Sequence, residues 1–155
     1  MSSKLSVGIH ILTLLALVRD RALTSGLIAR SVNTNPVVIR RLLGLLREAG
    51  LVDSKPGAGG GWVLLTDPAE IRLLDVWRAV EPETELFAMH RGGPNPKCAV
   101  GQEMCRVLAD VYSGIERGMD ELLDRTSIAA IVAMITERME SHEAMTAGSA
   151  DKGRH

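Results

Sequence analysis

Aromatic side chains are almost missing from this chain. Two tryptophans, one tyrosine and one phenylalanine make up 3% of its 155 residues, against 46% hydrophobic residues overall. A core so poor in rings is aliphatic, which favours packed helices over a β-sandwich, whose strands are richer in aromatic residues. Cysteine is scarce as well: Cys98 and Cys105 make no disulfide framework and fit a reducing compartment. No hydrophobic run is long enough for a membrane. Leu5 to Val18 has fourteen residues interrupted by His10 and Thr13, where ~20 are needed to span a bilayer. That run follows Lys4 as in a secretory leader, but Arg19-Asp20-Arg21 comes at once and no small-x-small cleavage site is visible. The reading is a buried first helix in a cytoplasmic protein with no membrane partner.

Patterns that carry catalysis are missing too. There is no zinc-ligand spacing and no nucleophile beside a partnered base, so no metal and no catalytic residue is assigned. The glycine run Gly57–Gly61 lacks the lysine-serine ending of a phosphate-binding loop and precedes a strand instead of a helix. His10, His90, His142 and His155 stand singly and read as structural or solvated. The chain is not expected to be an enzyme.

What is present is a charge asymmetry. Residues 1–65 hold eight Lys/Arg against three Asp/Glu, while residues 66–155 hold ten against sixteen, within a net charge of −1. A basic half joined to an acidic half points to a polyanionic partner for the first.

Local signals divide the chain into elements. Helix one covers about 4–18 and is apolar nearly all round. Thr24 or Ser25 caps a second helix to about Val32, and Asn33-Thr34-Asn35 breaks it. Asn35-Pro36 opens a third helix, which ends near Ala49 with Gly50 as its stop. Leu51 to Leu65 then read as a hairpin whose turn is dense in glycine. Asp67-Pro68-Ala69-Glu70 resembles a helix start, and Ile71, Leu74, Trp77 and Val80 mark a short amphipathic helix. Residues 81–98 form a proline- and glycine-containing loop. From about Ala99 to Arg125, Val100, Met104, Val107, Leu108, Val111, Ile115, Met119 and Leu122 keep a three-four spacing. Such a stripe suits a helix–helix seam, and a small domain has little to cover it with, so a dimer seam is expected. A last helix restarts at Thr126 or Ser127 and runs to about Glu140, followed by a disordered tail over 141–155. The domain plan is therefore a winged helix-turn-helix over 1–80, a loop over 81–98, dimerisation helices over 99–140 and the tail. The fold class is mostly α, with a two-stranded wing and a long C-terminal dimerisation helix.

Residues 25–44 meet the requirements of a helix-turn-helix. A small residue, Ala29, stands where the helices cross, and Asn33 stands where the turn needs a left-handed residue. Ile28, Val32, Ile39 and Leu42 plug the junction. On helix three, Ile39, Leu42, Leu43 and Leu46 face inward, leaving Val37, Arg41, Gly44 and Glu48 opposite and Val38 and Arg40 on the flanks. Recognition helices touch bases mainly through their N-terminal residues. Thr34, Val37, Val38, Arg40 and Arg41 are the DNA-contact candidates. Arg41 can meet a guanine or a phosphate, and the valines can pack on thymine methyls. Thr24 and Ser25 can donate to a phosphate at the start of the preceding helix. On the wing the candidates are Lys55, Gly57, Gly59 and Gly60.

This pattern resembles the Rrf-two family of winged-helix regulators, the IscR/NsrR type. The matching stretches are the N-terminal helix, the 25–44 motif, Gly50-Leu51-Val52, the wing Gly57-Ala58-Gly59-Gly60-Gly61-Trp62 and Asp67-Pro68 leading into Ile71. Asn95-Pro96-Lys97-Cys98-Ala99-Val100-Gly101 and Thr126-Ser127-Ile128 match later. The resemblance implies a bacterial homodimeric transcription repressor whose long helices cross between subunits, each subunit presenting a recognition helix and a wing to half of a palindromic operator in double-stranded DNA. Two departures stand out. Pro56 occupies the place of a common wing arginine, with Lys55 beside it, and two cysteines replace the three of cluster-binding members.

Clusters usually take four protein ligands, so no iron–sulfur cofactor is expected, although His90 or a site shared across a dimer would supply further donors. Thiol sensing is the alternative. Cys98 stands at the N-terminus of the long helix, where the helix dipole and Lys97 favour thiolate. Cys105, seven residues on, lies on the same face some ~10 Å away at ~1.5 Å per residue, too far for an intrahelical disulfide. The leading function is a sequence-specific repressor, with Cys98 and Cys105 as redox candidates. The alternative is a winged-helix protein-interaction module that does not bind DNA.

Overall fold

The computed structural model describes residues 3–82, 86–89 and 92–151. Among the described residues six helices and one hairpin follow in the order α1 (Lys4–Leu17), α2 (Ser25–Val32), α3 (Pro36–Glu48), β1 (Val52–Lys55), β2 (Gly61–Leu64), α4 (Leu73–Val80), α5 (Ala99–Asp124) and α6 (Ile128–Asp151). The core is aliphatic: Ile11, Leu12, Ile28, Ile39, Leu43, Leu46, Val52, Ile71, Val76 and Ile128 are fully buried.

The helix boundaries follow from local chemistry in the first half. The Thr24 hydroxyl oxygen accepts the Leu27 N–H at 3.2 Å and caps α2. Asn33 ends it in the left-handed region, at φ 57° and ψ 52°. The Asn35 side chain accepts the Val37 N–H at 2.8 Å, and Pro36 takes the first helical position of α3, where no N–H is needed. Strands β1 and β2 pair antiparallel from Val52↔Leu64 to Lys55↔Gly61. Leu23 adds a third edge: its N–H donates to the Trp62 carbonyl at 3.0 Å, and its carbonyl accepts the Trp62 N–H at 2.8 Å.

Three expectations change. Asp67 caps a tight turn by accepting the Ala69 N–H at 2.8 Å. The helix starts later, at Leu73, where the Asp75 carboxylate accepts the Arg72 N–H at 2.8 Å. Ile71 therefore lies ahead of α4, fully buried. The second change is the C-terminus. Ser127 caps α6 through the Ala130 N–H at 3.1 Å, and the helix passes the expected end near Glu140 and continues to Asp151. The expected tail is thus helical over 141–151, where Glu143, Met145 and three alanines are strong helix formers; residues 152–155 lie outside the described residues.

The third change concerns α5, whose apolar positions fall on two faces. Gly101 is buried and Cys105, Leu108, Tyr112, Met119 and Leu123 are half-buried toward the body of the subunit. Phe87 stacks on Tyr112 with centroids 4.9 Å apart, and Arg78 of α4 pairs with Asp120 at 3.1 Å. Val100, Met104, Val107, Val111, Ile115 and Leu122 are exposed. Of the eight expected seam positions these six are exposed, while Leu108 and Met119 turn inward, since at ~100° per residue they fall on the side of Cys105 and Tyr112.

Candidate nucleic-acid interface

The helix-turn-helix is fixed by contacts between its own helices, and two further contacts, both through Trp62, tie the wing to it. The left-handed turn at Asn33 lets the Thr34 N–H reach back to the Ala29 carbonyl at 3.0 Å, which fixes α3 against α2. Ile28, Ala29, Ile39 and Leu42 close the junction without solvent. The double Leu23–Trp62 bridge joins the wing to the residue before the α2 cap. The guanidinium of Arg47, in the last turn of α3, then lies 5.7 Å from the Trp62 ring centroid, within cation–π range.

The candidate side chains on this side are free for a ligand. Val37 and Val38 are 60% and 42% exposed, which leaves their methyls open to an apolar contact. Arg40 and Arg41 are exposed, and none of the ion pairs among the described residues involves them or Lys55. Thr24 is exposed and keeps its hydroxyl proton for a partner, since its oxygen serves as the cap; Ser25 and Thr34 are half-buried. Lys55 ends β1, and the turn that follows is exposed at Gly57 and Gly59. Gly60 is required by close approach: a Cβ there would fall onto the Lys55 carbonyl. At Gly61 a Cβ would stand 2.6 Å from the Leu23 carbonyl, so glycine is what lets β2 pass the α2 cap. Arg47 and Trp62 belong to this surface, and sequence reasoning passed over both. The available signal was that Arg47 lies two helical turns from Arg40.

The cysteines stand apart from this surface. Cys98 is the exposed N-cap of α5, and Cys105 is half-buried. Cys105 lines a cavity of about 420 Å³ with Pro94, Pro96, Gly101, Gln102, Glu103 and Arg106. The expected help from His90 falls outside the described residues.

A three-helix body with a glycine-tipped hairpin beside an exposed cationic recognition helix defines a winged helix-turn-helix DNA-binding protein. The chain belongs to the Rrf2 family, described as iron-dependent transcriptional regulators, whose family model matches residues 1–134. It is 43% identical over 131 residues to a Bacillus subtilis (strain 168) protein provisionally named HTH-type transcriptional regulator YwnA, with 84% of this chain and 96% of that one covered. A crystal structure of a provisionally named DNA binding protein is 39% identical with a TM-score of 0.67, covering 83% of this chain and 98% of that one. The structure of T. potens IscR shares the fold, with a TM-score of 0.69 at 24% identity over 89% of each chain. The chain is thus a transcriptional regulator and not an enzyme.

The family description names iron, and the donor set of this chain bears on it. Among the described residues no group of three or more His, Cys, Asp or Glu side chains could hold a metal ion. One subunit's two cysteines supply half of the usual four cluster ligands. Among the described residues, the donors of one subunit do not assemble a metal or cluster site.

Proposed function

We propose that the protein is a homodimeric, sequence-specific repressor that binds a palindromic operator without a resident cluster. The observation that carries this reading is the exposed, unpaired cationic face of Arg40 and Arg41, held beside a wing that glycine packing fixes in place. On this reading α3 enters the major groove, Val37 and Val38 meet thymine methyls, and Arg41 reaches a base edge or a phosphate. Thr24 and Lys55 add phosphate contacts on either side. Dimerisation is supported by the six exposed apolar residues of α5, which give a 26-residue helix no reason to stand alone in water. A two-fold seam there would present two recognition helices to two half-sites, and occupancy of a promoter by such a dimer excludes polymerase. Cys98, exposed at the cap of the seam helix, is the thiol through which oxidants would act.

Mobility shift with duplexes tiled over the region upstream of its gene tests the reading. Binding should fall steeply with salt, since each phosphate contact releases counterions. Arg40→Ala/Arg41→Ala should abolish it while leaving the fold and the oligomeric state unchanged. Absent or salt-insensitive binding by the wild type would overturn it and leave a protein-docking module in its place.

A further inference from the structure

We infer that one phosphodiester strand of the bound duplex passes over Gly44, in the cleft between α3 and the wing, with Arg40 and Arg47 as its phosphate ligands and Trp62 as the residue that positions Arg47. The inference rests on the DNA-binding reading and goes beyond it, because it assigns a track on the duplex and three residues that the recognition-helix argument leaves out.

Helix geometry supplies the first part. At ~100° per residue, Arg40 and Arg47 differ by only ~20° around α3 and stand ~10 Å apart along it. Gly44 falls between them, on the solvent side of the same flank. The Arg47–Trp62 contact shows which way this flank looks: toward the wing. Ser54 pairs with Trp62 across the hairpin and so shares its face. The cleft therefore has cations on one wall, an indole and a hydroxyl on the other, and a bare helix backbone for its floor.

Gly44 supplies the second part. Glycine is a poor helix former, costing about 1 kcal/mol against alanine in a helix interior. Here no other part of the chain lies within 4 Å of that position. Nothing inside the subunit crowds this position, and the missing side chain leaves the helix backbone open to a strand that arrives from outside. Arg47 supplies the third part. A guanidinium held over an indole at 5.7 Å keeps N–H donors for a planar, bidentate acceptor. None of the ion pairs among the described residues occupies Arg40 or Arg47. An anion between them meets two donors and no competing carboxylate bridge.

Fluorescence anisotropy with a fluorescein-labelled 30-base-pair duplex of mixed sequence, titrated from low to moderate KCl, tests this independently of any operator. Arg47→Gln should weaken binding about tenfold at low salt and reduce the slope of log affinity on log salt by ~0.9, the loss of one phosphate contact. Arg47→Lys should keep the slope and lose part of the affinity, because the charge stays and the bidentate fork goes. Gly44→Ala should raise Tm by about 3 °C, and Gly44→Leu should fold at least as well as wild type yet bind at least tenfold more weakly. A Gly44→Leu protein that binds like wild type, or an Arg47→Gln protein with an unchanged slope, overturns the track while leaving the DNA-binding reading intact. A wild type that binds no duplex overturns both.

Discussion

Leu23 and Trp62 exchange both of their backbone hydrogen bonds, at 3.0 and 2.8 Å, and so lock the wing to the residue before the α2 cap. The lock is possible because Gly61, at φ 147°, carries no Cβ to strike the Leu23 carbonyl. Gly61→Ala should therefore break the bridge, at about 2 kcal/mol for the strained backbone and lost pairing. Thermal unfolding should register that loss. DNA affinity should drop further than stability predicts, because the wing then swings away from the recognition helix. An unchanged Tm would remove the bridge as the reason for glycine.

Asn33 offers a cleaner test of the turn itself. It is the one non-glycine residue at positive φ among the described residues, and asparagine tolerates this region better than most. Asn33→Gly should be neutral or slightly stabilising, whereas Asn33→Ala should cost about 1 kcal/mol. Chemical denaturation of the two variants should separate them in that order. The reverse order would mean that the Asn33 side chain, not its backbone, matters.

These two sites also show why the first half of the chain was legible in its sequence. Asn33, Asn35-Pro36 and the glycine run are residues whose backbone preferences act locally, so their positions announce the turn, the cap and the wing. The start of α4 was not legible. Asp67 is a valid cap, but distant partners decide the helix start: the Leu73 N–H donates to the Thr126 carbonyl at 2.9 Å and the Ile128 N–H to the Ile71 carbonyl at 2.9 Å. Likewise Arg47 looks like any surface arginine until the hairpin brings Trp62, fifteen positions away, beneath it. The division of α5 into an inner and an outer face required knowing which side α4 and Phe87 cover.

The two cysteines should react at different rates. Cys98 is exposed and Cys105 half-buried within the loop–helix cavity. Thiol titration under native conditions should show one fast and one slow equivalent, with Cys98→Ser removing the fast one. Phe87→Ala, by deleting the stack on Tyr112 that pins the loop, should accelerate the slow phase and lower stability by about 1 kcal/mol. Equal rates in the wild type would show that the loop does not shield Cys105.

The two faces of α5 predict opposite consequences for similar substitutions. Val107 and Val111 are about half exposed in the single subunit, at 55% and 49%, so Val107→Asp/Val111→Asp should cost its fold little. In a dimer the same residues would be buried, and two unpaired carboxylates placed there would be prohibitive. Light scattering should find the variant at the mass of one chain with an unchanged helical spectrum, and its operator binding should weaken at least a hundredfold as the two half-sites uncouple. Leu108→Ala, one residue along but turned inward, should instead lower Tm and leave the dimer mass unaltered. A dimer that survives the double aspartate variant would mean that the exposed stripe of α5 is not the seam.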